Sequence, residues 1–220
     1  KSVSKMITPK TKAILPMDYA GMSCKIFELN EIAQKNNLIL IEDAAECLGS
    51  SINGKKIGSI SDTTIFSFCG NKVLTTGEGG AVTTNSKEIY EKIKLIRSHG
   101  RLDNVNYFNN PEESQYFGIG YNWRMSTMTA VLGLSQLSKL DKIIKMRQDN
   151  AKFISSRLEK FNAITMPKTL ENTSHIFQMF TIKLKNKEIR DKLHKFLITK
   201  KIFSKVYFSP IHKTEFYKEK

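Results

Sequence analysis

Four consecutive apolar residues, Leu38-Ile39-Leu40-Ile41, run directly into the acidic pair Glu42-Asp43. A run without polar alternation offers no face to water, so it predicts a strand buried on both faces, as in a parallel sheet covered by helices. The flanking segments suit that arrangement. Residues 12–17 predict a short strand. Residues 27–36 predict a helix on which Phe27, Leu29, Ile32 and Ala33 share one side, and the Asn36-Asn37 pair stops it. Residues 63–68 and 81–84 predict further strands, and 86–98 a helix with Ser86 as N-cap. This alternation predicts an α/β layer fold.

Farther along, residues 100–120 are polar, rich in Asn and aromatics and without period, which predicts a long loop, functional or mobile. Residues 126–160 read as mostly helical, with Leu134, Leu137, Leu140, Ile144, Ala151, Ile154 and Leu158 as an apolar stripe. Met125, Met128 and Leu132 form a second stripe, expected to be core. Strands at 176–184 and 204–208 flank a helix at 187–200. The expected division is a large α/β domain over residues 1–137 and a smaller α+β domain over 138–220.

Composition excludes several classes. With 40% hydrophobic and 25% charged residues the chain is not intrinsically disordered. No apolar run approaches the ~20 residues that span a bilayer, and the first ten residues lack the apolar core of a signal peptide. Cys24, Cys47 and Cys69 fit neither a disulfide framework nor a metal site, so a reducing cytoplasm and no metal are expected. The net charge of +14 is concentrated in residues 136–220, which hold 20 basic and 8 acidic side chains. A basic module that binds nucleic acid or an anionic surface is therefore a rival reading. It would need clustered Arg or an aromatic-basic face, and only 6 of the 35 basic residues are Arg.

The chemistry is concentrated between Leu38 and Asn85. Asp43 closes an apolar strand, Ser67-Phe68-Cys69-Gly70-Asn71-Lys72 closes another, and Thr75-Thr76-Gly77-Glu78-Gly79-Gly80 turns into a third. Singly these are a turn carboxylate, a surface lysine and a tight glycine turn. The turn matches neither GxxxxGK[ST] nor GxGxxG, which argues against a nucleotide-hydrolysing loop. Together, a lysine, a carboxylate and a hydroxyl at strand ends can assemble a pyridoxal phosphate site, as Schiff-base amine, ring-nitrogen partner and phosphate ligand.

The runs Ile41-Glu42-Asp43-Ala44-Ala45-Glu46, Phe66-Ser67-Phe68-Cys69-Gly70-Asn71-Lys72 and Thr76-Gly77-Glu78-Gly79-Gly80 resemble the DegT/DnrJ/StrS family of pyridoxal-phosphate-dependent nucleotide-sugar aminotransferases. The likeness continues through Arg97-Ser98-His99-Gly100, Gly120-Tyr121-Asn122-Trp123-Arg124-Met125-Ser126 and Tyr207-Phe208-Ser209-Pro210-Ile211-His212. It is strongest to the perosamine-synthase branch. The resemblance implies the fold type I (aspartate aminotransferase-like) architecture: a large domain and a small α+β domain, both partial. Family members have an N-terminal segment that grips the cofactor and more of the small domain, so truncation at both ends is expected, as is an opening on Lys1 rather than Met.

The resemblance also implies roles. Lys72 would hold the cofactor as an internal aldimine and then move the proton, and Asp43 would keep the ring nitrogen protonated. Glu46 would lie near the ring hydroxyl, where its protonation state decides whether it attracts or repels. Ser67 would bind the phosphate. Asn122 would reach the phosphate of a partner subunit's cofactor, implying a homodimer with shared sites. Arg124 would bind an anionic group or brace its loop, and His99 and His212 would touch substrate or serve structure. His175 is expected to be structural, Tyr121 and Trp123 to pack, and Cys69 to be non-catalytic. The implied reaction is transfer of an amino group, from glutamate as donor, to a nucleotide-diphosphate keto-sugar in surface-polysaccharide synthesis. The dehydratases of the same family carry His in place of the Schiff-base lysine, and Lys72 argues against that alternative.

Overall fold

A computed structural model describes residues 2–101 and 116–218. In chain order the elements are α1 (Ser2–Met6), β1 (Ala13–Ile14), α2 (Ile26–Lys35), β2 (Ile39–Asp43), β3 (Ser51–Ile52), β4 (Lys55–Lys56), β5 (Thr63–Ser67) and β6 (Gly80–Thr84). They continue with α3 (Lys87–Arg97), α4 (Thr127–Leu137), α5 (Leu140–Leu158), β7 (Ile164–Thr165), β8 (Thr173–Ser174), β9 (Lys183–Leu184), α6 (Lys187–Thr199) and α7 (Glu215–Lys218). Most of the expected loop, residues 102–115, lies outside the described residues.

Two compact units are formed, Lys1–Ile154 with Lys168–Phe180, and Ser155–Pro167 with Thr181–Lys220. The first extends past residue 137 because Leu140 and Ile144 of α5 bury against Val73, Leu74 and Ile176.

Its sheet has the order β1-β2-β5-β6. β2 runs parallel to β1 and β5, with Asp43 opposite Ile65, and β6 closes the sheet antiparallel to β5. α2 feeds this sheet through a left-handed stop. Asn37 sits at φ 51°, its N–H donates to the Gln34 carbonyl, and the Leu38 N–H reaches back to Ala33. Asn tolerates that conformation better than most residues, which is why the Asn36-Asn37 pair ends the helix and delivers Leu38 into the strand. Ile26, Ala33, Leu40, Ala44, Cys47, Ile52, Ile57 and Phe66 form the core behind it.

β2 is not buried on both faces. Leu40 and Glu42 are fully buried while Ile39 is 49% exposed. Its apolar run covers one side of the sheet with α2 and leaves the other side partly open. The second stripe is likewise no core: α4, capped by Ser126, whose Oγ accepts from the Thr129 N–H, buries none of its residues, and Met128 is 85% exposed. Within the long stripe Leu140, Ile144 and Ala151 are buried, but Leu134 and Leu137 are exposed.

The expected strand over 176–184 shrinks to β9, and 204–208 contains no strand. Residues 175–179 instead pack irregularly in the first unit. Phe177 has a φ of 47° and stacks on His175, a backbone setting that no ladder accommodates. The second unit contains the antiparallel pair β7–β9 and α6, whose N-cap Asn186 accepts from the Ile189 N–H.

Candidate active site

Two parallel strands end side by side, β2 at Asp43 and β5 at Ser67, and the turns leaving them carry Glu46 and Lys72. The carboxyl edge of a parallel sheet is where open α/β folds place ligands. Asp43 is fixed by its backbone: its N–H donates to Pro16, its carbonyl accepts from Asp18, and its Oδ1 accepts from the Ala45 N–H at 3.1 Å. The Ser67 Oγ accepts from the Cys69 N–H at 3.3 Å, so a hydroxyl and a backbone donor meet at the strand end.

The Lys72 turn is tied at both ends. The Lys72 N–H donates to Cys69, while the Thr76 N–H and the Thr75 hydroxyl both donate to the Phe68 carbonyl. Val73 and Leu74 anchor it in the core. The glycines that follow let β6 approach β5 closely, since a Cβ on Gly80 would lie 2.6 Å from the Phe66 carbonyl oxygen. Lys72 Nζ thereby stands 3.8 Å from Glu46 Oε1, with both side chains largely buried. Glu46 Oε2 accepts from the Ala20 N–H at 2.9 Å. Nearby, burial and the charge of Glu46 push the Tyr19 phenol upward.

Asn122 lies in a second cluster, bridged to Ser98 by an isolated antiparallel pair. The two segments cross so tightly that a Cβ on Gly100, at φ 75°, would lie within 1.9 Å of the Gly118 carbonyl oxygen. Arg124 binds the same turn, donating to Ser98 Oγ at 3.2 Å and lying 3.3 Å from His99 Nε2. Tyr121 and Trp123 stack on each other at 4.3 Å but are exposed rather than packed into a core. His212 is an exposed residue of a single 3-10 turn, Ile211–Lys213, in the second unit. His175 is buried, accepts the Phe177 N–H on Nδ1, and is pushed downward by that burial. Cys69 has its sulfur 3.9 Å from Glu78 Oε1.

Sequence reasoning missed a buried pair behind β2. Asp18 and Glu42 are both fully buried; Glu42 Oε2 accepts from Ser61 and Thr64, and Asp18 Oδ1 accepts from the Cys24 N–H. Asp18 Oδ2 and Glu42 Oε1 have no hydrogen-bond partner among the described residues. Burial and the facing charge of Asp18 push the Glu42 carboxyl up to about 7, and burial pushes Asp18 upward as well. With Cys24 Sγ these carboxylates place their ligand atoms within 4.8 Å of one another. The one signal in the sequence was an Asp directly after an apolar run. Among the described residues no helix is long and apolar enough to cross a membrane.

The donor set fits the cofactor that the resemblance implies. A largely buried primary amine, a strand-end carboxylate and a strand-end hydroxyl beside a backbone N–H are the groups that pyridoxal phosphate needs.

The model of the DegT/DnrJ/EryC1/StrS aminotransferase family matches residues 1–220. The chain is 37% identical to GDP-perosamine synthase of Caulobacter vibrioides over 210 residues, covering 94% of this chain and 55% of that protein. Among solved structures it is similar to Helicobacter pylori PseC, an aminotransferase involved in the biosynthesis of pseudoaminic acid. That likeness has a TM-score of 0.91 at 31% identity and covers 99% of this chain and 58% of the other. S. venezuelae DesV in complex with a ketimine intermediate gives a TM-score of 0.88 at 29% identity, over 99% and 56% of the two chains. The chain thus spans little more than half the length of these relatives.

Proposed function

The chain belongs to the DegT/DnrJ/EryC1/StrS aminotransferase family, and from that membership we propose that it transfers an amino group from an amino acid, glutamate, to a keto-sugar carried on a nucleotide diphosphate. The observation that carries this reading is the Lys72 amine facing Glu46 at 3.8 Å, beside the strand end that bears Asp43. Pyridoxal phosphate, when bound, supplies the electron sink that lets a substrate carbon lose a proton. Lys72 Nζ would be the covalent anchor and, once released, the base that moves that proton from the substrate carbon to C4′ of the cofactor. Asp43 would favour a positive charge on the ring nitrogen, since a nearby carboxylate stabilises the protonated form. Ser67 Oγ, which accepts from the Cys69 N–H, would bind the phosphate through its own hydroxyl hydrogen.

The second cluster serves a partner in this reading. Asn122 is exposed in the single chain, as a residue reaching into a neighbouring subunit's site would be, and Arg124 braces its loop through Ser98 and His99. The homodimer proposed here would cover the apolar side of α4. His99 and His212 are proposed as substrate contacts.

The test is to incubate the protein with pyridoxal phosphate, glutamate and a panel of nucleotide-linked keto-sugars. Formation of an amino-sugar nucleotide with one equivalent of 2-oxoglutarate supports transfer. Loss of a sugar hydroxyl without amination would point to dehydration instead.

A further inference from the structure

Three segments remote in sequence meet around the Lys72 turn. Residues 20–21 supply the backbone that holds Glu46. Residues 69–76 carry Lys72. Residues 175–179 lie against both. The Ile176 N–H donates to Gly21 at 2.9 Å and the Met179 N–H to Ala20 at 3.3 Å. A Cβ on Gly21, at φ 98°, would sit 2.6 Å from the Gln178 nitrogen, so this contact admits only glycine. From the other side, Arg147 donates to the Phe177 and Gln178 carbonyls, and Gln148 donates to the His175 carbonyl at 3.0 Å. The third segment is therefore held rigidly before it touches the Lys72 turn.

It touches that turn through a side chain. Gln178 is 8% exposed, and its Nε2 donates to the Asn71 carbonyl at 2.7 Å, across 107 residues of sequence. Because the Asn71 carbonyl can only accept, the amide must present its NH2 there, which fixes its orientation. The cost is visible: Gln178 Oε1 is buried with no hydrogen-bond partner among the described residues. An orphaned acceptor of this kind costs about 1–3 kcal/mol.

We infer that Gln178 is a positioning residue for Lys72, locking the peptide that precedes the lysine to the same rigid segment that holds the Ala20–Gly21 support of Glu46. This inference rests on the proposed role of Lys72 as cofactor anchor. One hydrogen bond suffices because displacement of a reacting atom by about 1 Å can slow a reaction on the order of 10²-fold. Glu46 and Lys72 are thus referenced to one frame, although they leave different strands.

The test compares wild type with Gln178→Met, which keeps length and loses both the donor and the orphaned acceptor. Three quantities are read: the melting temperature, amide hydrogen exchange of residues 69–76 without cofactor, and the rate at which the Schiff-base absorbance grows on adding pyridoxal phosphate. Positioning requires at least about tenfold faster exchange in 69–76 and at least about tenfold slower Schiff-base formation, with the melting temperature changed by no more than about 3 °C. Unchanged exchange and rate overturn the inference, and so does a variant that fails to fold, because the bond would then serve overall stability. Gln178→Glu adds a second arm. It lacks a donor when ionised and regains one when protonated, so at lower pH its exchange in 69–76 should fall below that of Gln178→Met at the same pH. No such recovery also counts against the inference. A wild-type protein that forms no Schiff base at Lys72 contradicts the proposed function instead, and the exchange comparison still decides whether Gln178 holds the turn.

Discussion

Glu46 faces Lys72 across 3.8 Å with one carboxylate oxygen and accepts the Ala20 N–H at 2.9 Å with the other. One side chain therefore links the lysine to the turn after β1. Ala20 is buried, so the accepted bond replaces water that cannot reach its N–H. Glu46→Ala leaves that donor unpaired and should lower stability by about 1–3 kcal/mol. Glu46→Gln keeps an acceptor of the same length and should cost less than about 1 kcal/mol. Urea unfolding of the two variants separates them.

Asp43 invites a charge test. Its Oδ1 accepts from the Ala45 N–H, a bond that the amide oxygen of Asn can keep. Asp43→Asn should therefore fold normally and bind pyridoxal phosphate, yet lose at least ~10² in turnover, on the order of 3 kcal/mol in the barrier. Asp43→Glu should restore only part of the rate. Near-normal turnover in Asp43→Asn would reduce Asp43 to a turn-capping residue.

Burial of the Asp18–Glu42 pair makes stability depend on pH. Below about pH 4.5, Glu42 is protonated in both folded and unfolded chains. Between there and about 7 the unfolded carboxyl ionises while the folded one keeps its proton, so stability declines as pH rises. The expected loss is on the order of 3 kcal/mol across that window. Asp18 shifts in the same direction and adds to the slope, while the Cys24 and Cys47 thiols facing it stay protonated because burial pushes them upward. Glu42→Gln should flatten the profile, as read by denaturant titrations from pH 4.5 to 8. A slope unchanged by that substitution would assign the pH dependence to other groups.

The elements that sequence resolved are those whose signals are local. Ser86 caps α3 by accepting the Ile89 N–H, and Asn37 ends α2, because capping chemistry operates within four residues. Lys72, Asp43 and Ser67 were legible because they follow strands that the apolar runs mark. Residues 176–180 were misread for the opposite reason. Their apolar character resembles a strand, but Gly21, Arg147 and Gln148 hold them in an irregular path. Gln178 and the pairing of Asp18 with Glu42 were missed for the same cause, since each has its meaning only beside residues far away in the chain. The apolar residues of α4 show a further limit: periodicity reports that a face is apolar, not what covers it.

That α4 face provides the assembly test. Met128, Val131 and Leu134 are 85%, 60% and 67% exposed. If a second copy covers them, Val131→Asp should shift the protein from dimer to monomer in sedimentation while leaving the single-chain fold intact, because none of the described residues packs on Val131 tightly enough to bury it. Mixing inactive Lys72→Ala and Asn122→Ala protomers should restore part of the activity, since one site of the mixed dimer regains both residues. No restoration despite demonstrated subunit exchange would contradict shared sites.

The central claim is that the Lys72 amine is the covalent anchor of pyridoxal phosphate. The protein incubated with pyridoxal phosphate, reduced with borohydride and digested should yield one modified peptide, with the added mass on Lys72. Lys72→Ala should yield none. Modification at a different lysine, or undiminished labelling in Lys72→Ala, would contradict the account.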